Sequence, residues 1–326
     1  MNTARLTRPD LWCPIEPALH PQHEELAEHA LAWLRRFGYV TTREQEEKAR
    51  AARFGELAAR VHPHGTLPGV KYACEWLMWL FLQDDDKVEG ASSRGDTLTV
   101  AEHILHCLQV LHDPSDPPAT GHMQALTDLR RRLDDFADPE HVQRLLFGLI
   151  EYLAAAGPEA IHWAARTVPT VHAYQQLRES TVFMRAGCFV LNEIANNCPL
   201  PAAVWSTPEI QTASRTAARV VGYTNDILSG PRELVWPGAL NLINSIAQER
   251  QCTLPKALEA AVDLHTHEMR TFIRQADQLA TRHDDARVHA YIDGLRTWIR
   301  GNLDWSMQTD RYAVPDPPTS EPIVTE

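Results

Sequence analysis

Apolar residues recur at helical spacing along almost the whole chain, and the pattern predicts helices rather than strands. Residues 24–37 form an amphipathic stripe, and residues 44–61 are charged, Ala-rich and helix-favouring. Residues 69–85 are apolar on every side, which predicts a buried helix. Helical periods follow at 100–112 and 124–136, separated by a turn-rich Asp/Pro/Ser/Gly stretch. A longer period covers 141–167, with Gly157-Pro158 as a potential kink. Thr170, after Pro169, is a fitting N-cap for a helix over 170–194. Segments 207–228, 254–282 and 286–307 complete the series. No strand run and no internal repeat is evident. The expected fold is therefore all-α: one large helical bundle over residues 1–312, with a Pro-rich tail at 313–326 whose composition predicts disorder.

Composition narrows the function. The 326 residues carry 31 Lys+Arg against 43 Asp+Glu, a formal charge of −12. With no long basic run, the chain is a poor general nucleic-acid binder. A hydrophobic share of 44% is enough for a folded core. The N-terminus lacks the apolar stretch of a secretory signal, and no segment is long enough to span a bilayer. The six cysteines are scattered without a CxxC pair, so free thiols in a cytoplasmic protein are expected.

Two polar clusters carry the chemistry. The first is Asp84-Asp85-Asp86-Lys87-Val88-Glu89, at the end of the most apolar predicted helix. On an α-helix Asp85 and Glu89 share a face, with Asp84 about 100° away. Such carboxylates repel unless a cation joins them, and hard oxygens suit Mg²⁺. An acidic helix end projecting into water is the plain alternative. The second cluster is Asn225-Asp226-Ile227-Leu228-Ser229-Gly230-Pro231-Arg232-Glu233. Asn225, Ser229 and Glu233 stand at i, i+4 and i+8, so an amide oxygen, a hydroxyl and a carboxylate line one stripe. Here the alternative is a helix that ends at Gly230-Pro231 with its polar groups solvated; Pro231 removes a helical N–H.

Together these segments resemble the two metal-binding motifs of bacterial class I terpene synthases: an aspartate-rich DDxx(x)D/E motif, and the motif ND(L/I)x(S/T)xxx(E/D) on an opposing helix. Asn225, Asp226, Ile227, Ser229 and Glu233 match the second at every defined position, and Asp84 and Asp85 match the first. The third acid of the first motif is Val88 here, and Glu89 satisfies only the looser spacing. Arg178, 47 residues before Asn225, resembles the family's diphosphate-sensing arginine. Thr181 and Val182 fall where the family has its linker and effector residues. Arg311-Tyr312 resembles the terminal RY pair, and Arg232 stands where another diphosphate-binding base, usually Lys, is found. The resemblance spans about residues 69–312.

The resemblance implies a helical fold with a central active-site cavity. It implies metal ligation by Asp84, Asp85, Asn225, Ser229 and Glu233, with Glu89 as a further candidate. The metal would be Mg²⁺, three ions in the family, with Mn²⁺ as a substitute. Arg178, Arg232, Arg311 and Tyr312 would clamp the diphosphate. Phe81, one turn before Asp85, would line the substrate cavity, with Trp305, Phe183, Thr181, Val182 and Tyr223; Trp79 reads as core. The implied activity is ionisation and cyclisation of a linear isoprenyl diphosphate, farnesyl diphosphate first and geranylgeranyl diphosphate second, with homodimerisation common in the family. The competing readings are a chain-elongating prenyltransferase of the same fold, disfavoured because no second DDxxD occurs, and a non-catalytic helical binding protein. The sixteen histidines lack the paired Glu-x-x-His spacing of a di-iron bundle and read as ordinary hydrogen-bonded or solvated groups.

Overall fold

The computed structural model describes residues 6–115, 121–234 and 238–312. The expected tail at 313–326 lies outside them. Helices joined by turns and irregular segments make up the described residues, with no strand among them. The chain runs α1 (His23–Arg36), α2 (Arg43–Ala52), α3 (Phe54–Val61), α4 (Leu67–Gln83), a π-helical segment (Asp84–Glu89), α5 (Gly90–Ser93) and α6 (Thr97–His112). It continues through α7 (Gly121–Phe136), α8 (Pro139–Ala165), α9 (Val171–Thr181), a second π segment (Met184–Cys188), α10 (Phe189–Ala195) and α11 (Ala202–Trp205). The last elements are α12 (Pro208–Glu233), α13 (Leu242–Glu249), α14 (Leu254–Arg282), α15 (Ala286–Gln308) and a 3₁₀ turn at Asp310–Tyr312.

The apolar run is the central post. Thr66 caps α4, accepting a hydrogen bond from the Gly69 amide, and Tyr72 through Leu80 of that helix are all buried. Helices α1, α3, α7 and α10 pack around it, α12 lies along α14 and α15, and α6 lies between α7 and α8. No helix among the described residues is long and apolar enough to cross a membrane. All six cysteines are free thiols, three of them buried.

Several boundaries differ from the sequence expectation. The 44–61 helix is two helices, because Arg53 turns into the left-handed region at φ 54°. The break lets α3 press on α1: a Cβ at Gly55 would lie 2.5 Å from the Leu26 carbonyl oxygen. The 170–194 helix also breaks, at Phe183 with φ 53°. By contrast α8 continues through Pro158, and α12 passes Pro231 to end at Glu233. A proline in the last turn costs one helical bond and leaves the rest of the helix intact. Helices α11 and α13, of four and eight residues, are too short for their period to be read from sequence.

Candidate active site

One cavity gathers most of the residues singled out by sequence. Its apolar wall includes Leu77, Leu80 and Phe81 from α4, Phe183 and Met184 from the α9–α10 break, Val221 from α12 and Trp298 from α15. Its polar side presents Asp84, Asp85, Glu159, Asp226 and Glu233 together with Arg178, Arg232 and Arg311. Asn225, Thr181, Val182 and Tyr312 line it as well.

The aspartates sit where α4 widens. The Gly90 amide bonds the Asp85 carbonyl, an i→i+5 closure in place of the α-helical i→i+4. The α-helical register assumed for Asp85 and Glu89 therefore does not hold here. The side chain of Glu89 lies outside what the structure describes. Asp84 accepts from the Tyr152 hydroxyl at 2.9 Å. Burial, then the nearby Glu159 and Asp85 carboxylates, push its pKa up to about 7. Asp85 is gripped by Arg311, whose two terminal nitrogens reach its two oxygens. Asp86 faces outward to Lys87 and His122.

Across the cavity, Asn225 accepts from Arg178 at 2.6 Å and its amide nitrogen donates to the Tyr312 hydroxyl at 2.6 Å. Glu233 accepts from Asn241, the buried N-cap of α13, at 2.9 Å. Burial raises its pKa, against the opposing hydrogen bond from Asn241. The Ser229 hydroxyl donates at 2.8 Å to the Asn225 carbonyl within its own helix, and Ser229 is not among the residues lining the cavity. Asp226 points away from this stripe and serves Arg178: Nη2–Oδ1 is 3.0 Å, while Tyr174 donates to Oδ2 at 2.7 Å. Burial is the largest influence and works against the charge of Arg178, but Asp226, Tyr174, Glu159 and Glu233 together outweigh it and hold the guanidinium pKa above its ordinary value. Arg232 donates to the Arg311 carbonyl at 2.6 Å, which ties the C-terminal turn to α12.

Two expected wall residues lie elsewhere. Trp305 is fully buried behind Phe81, with ring centroids 5.5 Å apart, and also contacts Phe54 and Tyr312. Its indole N–H needs an acceptor and finds the Ala52 carbonyl at 3.0 Å, which draws the ring off the cavity. Tyr223 is likewise buried, accepting from Gln175 at 2.8 Å, and is not a lining residue. Trp79 is core, its indole bonded to the His122 carbonyl.

The sequence reading missed Tyr152, Glu159 and Asn302, which line the cavity, and Asn241, which bonds Glu233. Tyr152 lies mid-way along α8 and Glu159 about two turns further on, far in sequence from both motifs, and nothing in their local pattern marks them. Asn241 had a faint signal, as a capping residue type before an apolar run.

The donor set lining the cavity fits a hard divalent cation: carboxylates from two walls and the Asn225 amide oxygen. Among the described residues, no three His, Cys, Asp or Glu side chains converge as a finished metal cage. The site is two facing half-sites, with Arg311 bridging toward one of them.

The comparisons with known proteins agree with this architecture. Residues 75–271 match the model of terpene synthase family 2, C-terminal metal binding. The chain is 30% identical to (+)-(1(10)E,4E,6S,7R)-germacradien-6-ol synthase of Streptomyces pratensis, over 97% of this chain and 89% of that protein. It is 32% identical to the (+)-T-muurolol synthase ((2E,6E)-farnesyl diphosphate cyclizing) of Roseiflexus castenholzii, over 92% of each. The crystal structure of germacradien-4-ol synthase from Streptomyces citricolor shares the fold, with a TM-score of 0.78, 23% identity, and coverage of 91% of this chain and 98% of that one. The chain belongs to the terpene synthase family. It is a class I terpene synthase, a cyclase with the helical fold of that class and a metal-binding family region.

Proposed function

We propose that this synthase ionises farnesyl diphosphate with Mg²⁺ and cyclises the resulting cation to a sesquiterpene hydrocarbon or alcohol. The observation that carries the metal requirement is the charge of the cavity. Five carboxylates face three guanidiniums there, so a diphosphate would meet a net negative wall. Asp84 and Asp85 on one side and Asn225, Ser229 and Glu233 on the other would hold cations, whose charge would reverse that sign. Bound Mg²⁺ supplies Lewis acidity toward the leaving diphosphate.

The protein's own groups account for the rest. The allylic C1–O bond breaks heterolytically, and the electron pair leaves with the diphosphate. Arg178, Arg232, Arg311 and the Tyr312 hydroxyl, all on the cavity lining, would hold that anion by charge-assisted hydrogen bonds. Leu77, Leu80, Phe81, Phe183 and Trp298 offer the carbon chain a wall of hydrocarbon and aromatic faces. Aromatic faces stabilise a carbocation without capturing it. Thr181 and Val182, at the α9 break beside Arg178, would carry a shift of that arginine to the reacting end of the substrate. The cation is resolved by proton loss or by water. Geranylgeranyl diphosphate is the second candidate substrate.

The test is incubation with C10, C15 and C20 diphosphates and Mg²⁺, with mass spectrometry of extracted products. A C15 terpene from farnesyl diphosphate, lost when Mg²⁺ is omitted, is expected. Longer prenyl diphosphates formed on adding isopentenyl diphosphate would instead make it a chain-elongating enzyme.

A further inference from the structure

Asp84 is held by a chain of buried groups that reaches back through three helices. Its Oδ1 accepts from the Tyr152 hydroxyl at 2.9 Å. The same hydroxyl accepts from the Gln83 side-chain amide at 2.5 Å, and Gln83 Oε1 meets His103 Nε2 at 3.0 Å. Gln83, Tyr152 and His103 are all buried, at 0%, 4% and 6% exposure. Gln83 comes from the end of α4, Tyr152 from α8 and His103 from α6.

The direction of this chain follows from its chemistry. An amide oxygen only accepts, so His103 Nε2 carries a proton and donates to Gln83. A phenol that receives the Gln83 N–H turns its own proton onward, and that proton meets the Asp84 carboxylate. Every bond therefore points toward Asp84, and bonds aligned head to tail polarise one another. His103 is suited to the neutral role, because burial lowers its pKa to about 4. The ring of Tyr152 has a separate duty on the cavity wall: it meets Phe183 edge-on, with centroids 5.6 Å apart.

We infer that Tyr152 is the positioning residue of Asp84, aimed by a relay from His103 through Gln83. The inference rests on the reading of Asp84 as a cation ligand. The relay explains why a fully buried glutamine stands at the end of α4. It also gives a role to a histidine that spacing alone leaves unremarkable. Partners that orient a ligand from behind typically govern metal affinity by about 10- to 100-fold when removed.

The test is Tyr152→Phe, which keeps the ring and removes the hydroxyl. Two readouts are followed: the Mg²⁺ concentration for half-maximal turnover, and that for half-maximal thermal stabilisation in the presence of inorganic diphosphate. Both should rise by about tenfold or more, while kcat at saturating Mg²⁺ falls far less and the product pattern is retained. Gln83→Met, which leaves the hydroxyl but not its aim, should shift both readouts in the same direction by a smaller factor. A Tyr152→Phe protein with unchanged Mg²⁺ curves, whatever its melting temperature, overturns the inference. Asp84→Asn separates the two levels of the argument. If Asp84→Asn shifts the Mg²⁺ curves and Tyr152→Phe does not, only the positioning role fails. If neither shifts them, the cation-ligand reading fails and takes the positioning role with it.

Discussion

Arg311 holds both carboxylate oxygens of Asp85, with Nη2 2.6 Å from Oδ1 and the second nitrogen on Oδ2. Its guanidinium also lies over the Phe81 ring, 4.7 Å from the centroid. One arginine thus touches the aspartate-rich segment and the aromatic wall at once, and its carbonyl is tied to Arg232 of α12. A cation approaching Asp85 must compete with this pair. A diphosphate arriving with the cation offers Arg311 a replacement anion. Arg311→Met should therefore bind Mg²⁺ more tightly than the parent in the absence of diphosphate, as read by calorimetric titration. Its turnover should fall by about 100-fold, the usual scale for losing one anion-stabilising donor. Undiminished turnover would reduce Arg311 to a structural latch.

Asp226 keeps Arg178 in place from beneath. The aspartate is 2% exposed and takes bonds from Arg178 and Tyr174, with the Leu242 amide at 3.4 Å. Asp226→Asn leaves a buried guanidinium without its counter-charge, a change worth about 3–5 kcal/mol in comparable pairs. The expected result is a lowered melting temperature and a kcat/KM reduced by two orders of magnitude or so. Tyr174→Phe, which removes one neutral donor, should cost about 1 kcal/mol. Thermal unfolding and steady-state kinetics on both variants check the ranking.

Gly187 makes room for a wall residue. A Cβ there would lie 2.3 Å from ring carbons of Phe183. Phe183 is pinned at a left-handed backbone angle and against Tyr152, so its ring cannot yield without moving along the wall. Gly187→Ala should redistribute products while Mg²⁺ dependence stays near that of the parent. Gas chromatography with mass spectrometry reads this directly. An unchanged product profile would show that Phe183 does not shape the cation's path.

His265 links stability to pH. It is fully buried, both ring nitrogens lack a protein partner among the described residues, and burial lowers its pKa to about 4. Below the ordinary value of 6.5 the unfolded chain takes up a proton that the folded chain refuses, so stability falls as pH drops from 6.5 toward 4. His265→Leu removes this penalty. The variant should gain on the parent by about 2 kcal/mol between pH 7 and pH 5. A difference in melting temperature that stays constant over that range would contradict it. Comparing the two proteins cancels the opposing effect of Asp84, Asp226 and Glu233, whose raised pKa values favour the folded state on acidification.

Helix content and the two polar clusters were legible because both are local. A 3.6-residue period shows within a few turns, and Asn225, Ser229 and Glu233 stand on one stripe of one helix. The breaks at Arg53 and Phe183 were not legible. Each is a single residue in the left-handed region, which no local period announces. Helix α13 escaped notice because its eight residues span only about two turns, and a short apolar run does not by itself separate helix from strand.

The sequence by itself determined an all-helical chain with a hard-oxygen ligand set and arginines at set distances along it. The tertiary structure decided which groups meet: Arg311 with Asp85 across 226 residues, Tyr152 with Asp84 across 68, and Trp305 with Ala52 in place of the cavity. Local periodicity constrains φ, ψ and the face a residue occupies. The partner on the other side of a cavity is fixed only when helices pack and each buried donor must find an acceptor.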